Sequence, residues 1–114
     1  MKKSINYILS FLIPILVFIS VLFFKGFMSK YSILVSDMWV QYYGLFNKLK
    51  DIINGNSSLF YTYQIGLGQS FFSTFAYYLA SPLNLLLLFF NNIENAMLYI
   101  IMLKIGLCGL TMFI

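Results

Sequence analysis

Three long apolar segments alternate with one long polar segment and one short polar turn along the 114-residue chain. The apolar segments predict membrane spans over about 7–24, 71–90 and 96–114. As a helix, residues 7–24 would extend about 27 Å, which is close to the thickness of the hydrocarbon core. The pattern therefore predicts an all-α membrane protein with about three transmembrane helices.

Prolines interrupt two of the predicted spans. Pro14 lies in the middle of the first span, where membrane helices tolerate a proline kink. Pro82 divides the second span into an aromatic, partly polar half and an almost purely apolar half. We therefore expect the second span to be broken or kinked. The third span is still apolar at Ile114, so we expect residues 1–114 to be the N-terminal part of a multi-spanning domain.

The polar segment 25–70 contains one stretch with helical periodicity, residues 37–54. Its apolar side chains recur at i, i+3, i+4 and i+7, which is typical of an amphipathic helix at a membrane interface. Ser36 is predicted to cap this helix and Asn54-Gly55 to end it. The opposite, polar face carries Asp37, Gln41, Gly44, Lys48 and Asp51.

Composition supports a membrane protein, because 61% of the residues are hydrophobic and only 9% are charged. A soluble chain of this length could not bury so much apolar surface. The net charge of +4 comes from dispersed lysines, which argues against nucleic-acid binding. A single cysteine and no histidine leave neither a disulfide framework nor a zinc site. The first span is longer than a signal-peptide core of about 7–15 residues, so we expect it to be uncleaved.

Two charged residues are candidates for chemistry. Asp37 begins the amphipathic helix and could act as a general base, or simply as an acid at a helix start. Lys104 lies within the third span, where it needs a phosphate, a carboxylate or an ion pair with another helix. Asp51 would lie about 21 Å from Asp37 along the helix, which is too far to pair. Gly66-x-Gly68 lacks phosphate-loop spacing and is interpreted as a flexible loop.

Three short motifs follow one another in a defined order. They are S-D-x-x-x-Q-Y ending at Tyr42, G-x-G ending at Gly68, and Y-x-x-S-P-x-N ending at Asn84. Each motif alone is weak, but the ordered series resembles the N-terminal part of the bacterial YfhO family. The resemblance covers nearly the whole chain.

The resemblance implies a multi-pass protein of the bacterial plasma membrane that is similar to the GT-C class of glycosyltransferases. Such enzymes transfer a sugar from a polyprenyl-phosphate carrier to a cell-envelope polymer such as lipoteichoic acid. By this resemblance Asp37 is the catalytic base. Gln41, Tyr42 and Lys104 are predicted to bind the substrate, Lys104 because a lysine within a span would suit a phosphate. The lysine counts of the two sides nearly tie, with a slight edge toward a cytoplasmic loop. The family placement breaks this tie and puts the N-terminus in the cytoplasm and loop 25–70 outside.

Several features of this interpretation stay open. Many GT-C enzymes carry a paired acid where this chain has Asp37 alone, so a divalent cation as cofactor is undecided and no metal ligands are predicted. Kinked spans and an intramembrane lysine also suit a non-enzymatic transporter or an assembly subunit. A third interpretation is a truncated fragment that is inactive without the remaining helices of a longer chain. All three share the lipid bilayer as a partner.

Overall fold

The computed structural model describes residues 2–27 and 31–114, so residues 28–30 of the predicted outer loop lie outside the described part. The described residues are mainly helical, and their extended structure is limited to one isolated bridge between Thr62 and Gln69. The predicted all-α class is confirmed. The chain divides into two compact units, one formed by Met1–Ile33 with Met97–Ile114 and the other by Leu34–Ala96.

The described residues contain four α-helices and three helical segments of other types. The α-helices, α1 to α4, are Lys2–Phe24, Tyr43–Ile53, Phe71–Thr74 and Ile93–Phe113. One π-helical turn, Met38–Tyr42, leads into α2, and another, Phe75–Leu79, continues α3. A 3₁₀ helix over Pro82–Phe89 completes the series.

Two helices are long and apolar enough to cross a bilayer, namely Ser4–Phe24 of α1 and the whole of α4. A third crossing would be counted if Phe71–Leu79 and Pro82–Phe89 formed one span. In α1 only 6% of the residues in the most apolar window are buried. An apolar surface this large must be covered by lipid or by neighbouring helices, so the chain is an integral membrane protein.

The first unit is held by direct packing of α1 against α4. Tyr7 meets Phe113 edge-on with ring centroids 5.3 Å apart, and Gly109 lies against Ser10 and Pro14. The start of α1 therefore meets the end of α4, so the two helices run antiparallel. Pro14 has no N–H, so the Ser10 carbonyl lacks its usual hydrogen bond within the helix. A Cβ built on Gly109 would clash with that carbonyl and lie 2.6 Å from Pro14 Cγ. Glycine thus permits the close approach, as small residues do in membrane helix pairs.

The second unit buries the apolar face of the predicted amphipathic helix. Leu45, Phe46 and Leu49 of α2 are buried, in agreement with the periodicity of the sequence. Ser36, predicted as the N-cap, has φ of 53° and lies one residue before the observed N-cap position. Its carbonyl, rather than its side chain, accepts hydrogen bonds from the first turn. The helix ends at Asn54 as predicted.

The predicted break at Pro82 is present. The axes of Phe71–Leu79 and Pro82–Phe89 differ by 101°, and Pro82 begins the 3₁₀ helix, where its missing N–H costs nothing. Asn84 bridges the break, because its Nδ2 donates to the Leu79 carbonyl at 2.8 Å. The bend is therefore built from local hydrogen bonds rather than left as a loose hinge.

A lysine ties α2 to the end of the 3₁₀ helix. Lys50 Nζ donates to the carbonyls of Phe90 and Asn91 at 2.7 and 3.0 Å. Carbonyls at the end of a helix lack partners within it, and a cation supplies both the donors and a favourable charge. We call this pair of bonds the Lys50 clamp.

Candidate functional site

A cleft of about 780 Å³ lies within the second unit. Its walls come from α2 with the π-helical turn before it, from residues 64–69, and from residues 74–78. Side chains that can donate or accept hydrogen bonds predominate in the lining. They are Asp37, Gln41, Asn47, Lys48, Gln64, Gln69, Thr74 and Tyr78.

The polar face predicted for the amphipathic helix forms one wall of this cleft. Asp37, Gln41, Gly44 and Lys48 all line it, since spacings of three and four residues place them along one side of a helix. Asp51, the fifth member of that face, does not line the cleft and is exposed.

Asp37 is the only acidic residue that lines the cleft among the described residues. Its carboxylate forms no capping hydrogen bond to the helix that follows, and the residue is exposed. The side chain is therefore not engaged as a helix cap and is accessible from the cleft. In chemical terms it can accept a proton or a hydrogen bond from a bound hydroxyl.

Lys48 is a site residue that the sequence did not single out. It is only 9% exposed, yet it lines the cleft. It forms no ion pair or hydrogen bond with any residue in the described part of the chain. The signal that could have found it is its register, because it follows Asp37, Gln41 and Gly44 at helical spacing on one face.

The glycine motif forms a turn at the cleft, closed by backbone pairing, where a flexible loop was predicted. Thr62 and Gln69 exchange two backbone hydrogen bonds of 3.0 Å each across it. Gly66 and Gly68 adopt φ values of 58° and 106°, which side-chain-bearing residues rarely reach. A Cβ on Gly68 would also strike the Tyr61 hydroxyl. The turn places Gly66 and Gln69 in the cleft lining.

The third wall carries Thr74 and Tyr78 from the helical segment before the break. Gln69 Nε2 donates to Thr74 Oγ1 at 3.3 Å, which joins the glycine turn to this wall. Tyr42 does not line the cleft but packs edge-on against Tyr78, with ring centroids 5.9 Å apart. Residues from all three sequence motifs therefore meet around one cavity.

Lys104 lies elsewhere. It is exposed on the part of α4 that belongs to the first unit and is not part of the cleft lining. Of the four residues predicted for the site, Asp37 and Gln41 line one cleft and Tyr42 supports a residue that does. The substrate contact expected of Lys104 stays a prediction.

The chemistry of the lining is that of hydrogen bonding rather than of a metal centre with several ligands. Within residues 2–27 and 31–114, no three histidine, cysteine, aspartate or glutamate side chains come together. A divalent cation in the cleft would have Asp37 as its one carboxylate ligand from the described residues.

Long apolar helices, and a cleft lined by several hydrogen-bonding side chains, define an all-α integral membrane protein with a candidate binding site. The sequence profile of a family described as bacterial membrane protein YfhO matches residues 10–114. The chain therefore belongs to the YfhO family, as its motifs suggested. Searches of the curated proteins and of the solved structures gave no match.

Proposed function

We propose that this protein acts in a membrane glycosyltransferase that moves a sugar from a polyprenyl-phosphate carrier to a cell-envelope polymer such as lipoteichoic acid. The observation that carries the proposal is the position of Asp37. This single carboxylate lines a cleft shared with the other two sequence motifs, and it is free of capping bonds.

The reaction follows from the chemistry of the cleft. The Asp37 carboxylate takes the proton from an acceptor hydroxyl as that oxygen attacks the anomeric carbon of the sugar. The bond between the anomeric carbon and the phosphate oxygen breaks, and the polyprenyl phosphate leaves with the electron pair. Gln41 and Tyr78 offer an amide and a hydroxyl to hold sugar hydroxyls within the same cleft. Tyr42 contributes by holding the ring of Tyr78.

An Asp37→Asn variant of the encoded protein tests the proposal. Removing a general base lowers the rate by roughly 10²- to 10⁴-fold, so we expect sugar transfer to fall by at least that lower figure. Transfer is measured with membranes, a radiolabelled polyprenyl-phosphate sugar and the purified polymer. Asp51→Asn is the matched control, because it removes an exposed acid of the same helix that lies outside the cleft. Unchanged transfer by a normally expressed Asp37→Asn protein would refute the role.

The proposal also needs the cleft on the outer face, with the N-terminus in the cytoplasm. Asn56 is exposed in the turn after α2 and offers a labelling position in the same unit. A cysteine placed there, in a chain whose Cys108 is replaced by serine, should react with a membrane-impermeant maleimide in intact cells. Labelling only after the cells are opened would overturn the orientation and the reaction with it.

One observation favours a second candidate function, lipid or polymer transport. The helices on either side of Pro82 are bent by 101°, and broken helices of this kind often form transport sites. Reconstituted vesicles distinguish the two functions. Movement of a labelled lipid or polymer without sugar transfer would favour transport.

A further inference from the structure

The cleft is lined by one lysine, Lys48, which pairs with no acid among the described residues. The residue as a whole is only 9% exposed. The Lys48 ammonium is not among the buried polar atoms that lack a partner, so the enclosed part is the aliphatic chain, and an anionic ligand in the cleft could pair with the charged end.

We propose that Lys48 is the residue that binds the phosphate group of the lipid-linked donor. This inference rests on the proposed function for the nature of the donor, and on the place of Lys48 in the cleft lining for the position of the phosphate. A phosphate supplies the negative charge that Lys48 lacks, and it presents several acceptor oxygens. The amides of Gln41 and Gln64 line the same cleft and can donate to those oxygens.

The spacing along the helix suits the two ends of such a donor. Asp37 and Lys48 are separated by no more than about 16 Å along the helix axis. Side chains of an α-helix lean toward its N-terminus, so the long lysine chain shortens the gap to Asp37. The sugar would then lie between the proton acceptor and the cation that receives the leaving phosphate.

Gly44 keeps the approach to Lys48 open. It lies one turn before Lys48 in the same lining, and a Cβ built on it would meet no atom within 4 Å. A larger side chain at this position would therefore occupy cleft space without displacing the protein. This provides a variant that blocks the site while leaving the lysine in place.

The test is isothermal titration calorimetry of the purified protein in detergent with farnesyl phosphate, farnesol and inorganic phosphate. We expect farnesyl phosphate to bind, and Lys48→Met to weaken this binding roughly ten- to hundredfold, as loss of a charged hydrogen bond does. Lys48→Arg should retain most of the affinity, since it keeps the charge. Gly44→Leu should weaken binding with Lys48 intact. Lys25→Met, which removes an exposed lysine outside the cleft, should bind as the wild type does.

Three results would overturn the inference. The first is equal affinity of Lys48→Met and wild type for farnesyl phosphate. The second is a loss of binding in Lys104→Met in place of Lys48→Met. The third is equal binding of inorganic phosphate and farnesyl phosphate, which would assign the site to a soluble phosphate. If Lys48→Met fails to fold, Gly44→Leu still tests the site, because it fills the cleft beside an intact Lys48. Because the assay measures binding alone, it separates this inference from the proposed sugar transfer, which Asp37→Asn tests.

Discussion

The Lys50 clamp makes a direct prediction about the stability of the second unit. Lys50→Met keeps most of the side-chain length but removes both bonds to the carbonyls of Phe90 and Asn91. A hydrogen bond with one charged partner contributes about 1.5–3 kcal/mol. The Asn91 bond is exposed and counts for less, so we expect the free energy of unfolding to fall by about 2–3 kcal/mol.

The measurement is an SDS titration of the protein in mixed micelles. The single tryptophan of the chain, Trp39, reports on the same unit, because it stacks on Tyr43 with ring centroids 5.2 Å apart. Lys50→Arg should stay close to the wild type, since a guanidinium can donate to both carbonyls. Lys25→Met controls for the loss of one positive charge. A change of less than about 0.5 kcal/mol in Lys50→Met, the range of an ordinary surface substitution, would refute the clamp.

Three further substitutions are predicted to change the same SDS titration by different amounts. Gly109→Val should destabilise the α1–α4 pair by about 1–3 kcal/mol, because its side chain meets the Ser10 carbonyl, and Gly109→Ala should cost less. Gly68→Ala should cost about 1–3 kcal/mol through its positive φ and the contact with Tyr61. Asn84→Leu should change stability by less than about 1 kcal/mol. The substitution removes the stabilising bond to Leu79, but it also removes a buried Oδ1 that has no partner among the described residues and is therefore destabilising. A decrease in stability of more than about 1 kcal/mol would contradict this balance.

Local patterns predicted the features that depend on neighbouring residues. The periodicity of 37–54 identified both the buried face of α2 and the polar face that lines the cleft. Pro82 predicted the break, because a proline cannot continue a helix of regular hydrogen bonds. Asn54 ended its helix where expected.

Features that depend on distant segments were not predictable in this way. The burial of Lys48 arises because residues 64–69 and 74–78 complete the cleft around it. Nothing in the spacing of α2 indicates that these segments fold back on it. The glycine turn likewise depends on the pairing of Thr62 with Gln69 and on the position of Tyr61. Glycine spacing alone could not distinguish such a turn from a flexible linker.

The antiparallel pairing of α1 and α4 constrains the path of the chain through the bilayer. Two helices that cross in opposite directions are joined by a chain that crosses an even number of times between them. Phe71–Leu79 and Pro82–Phe89 extend only about 14 and 16 Å, each too short to cross about 30 Å alone. One crossing by the bent pair would set α1 and α4 parallel, so between a broken span and a re-entrant hairpin the antiparallel pairing favours the hairpin.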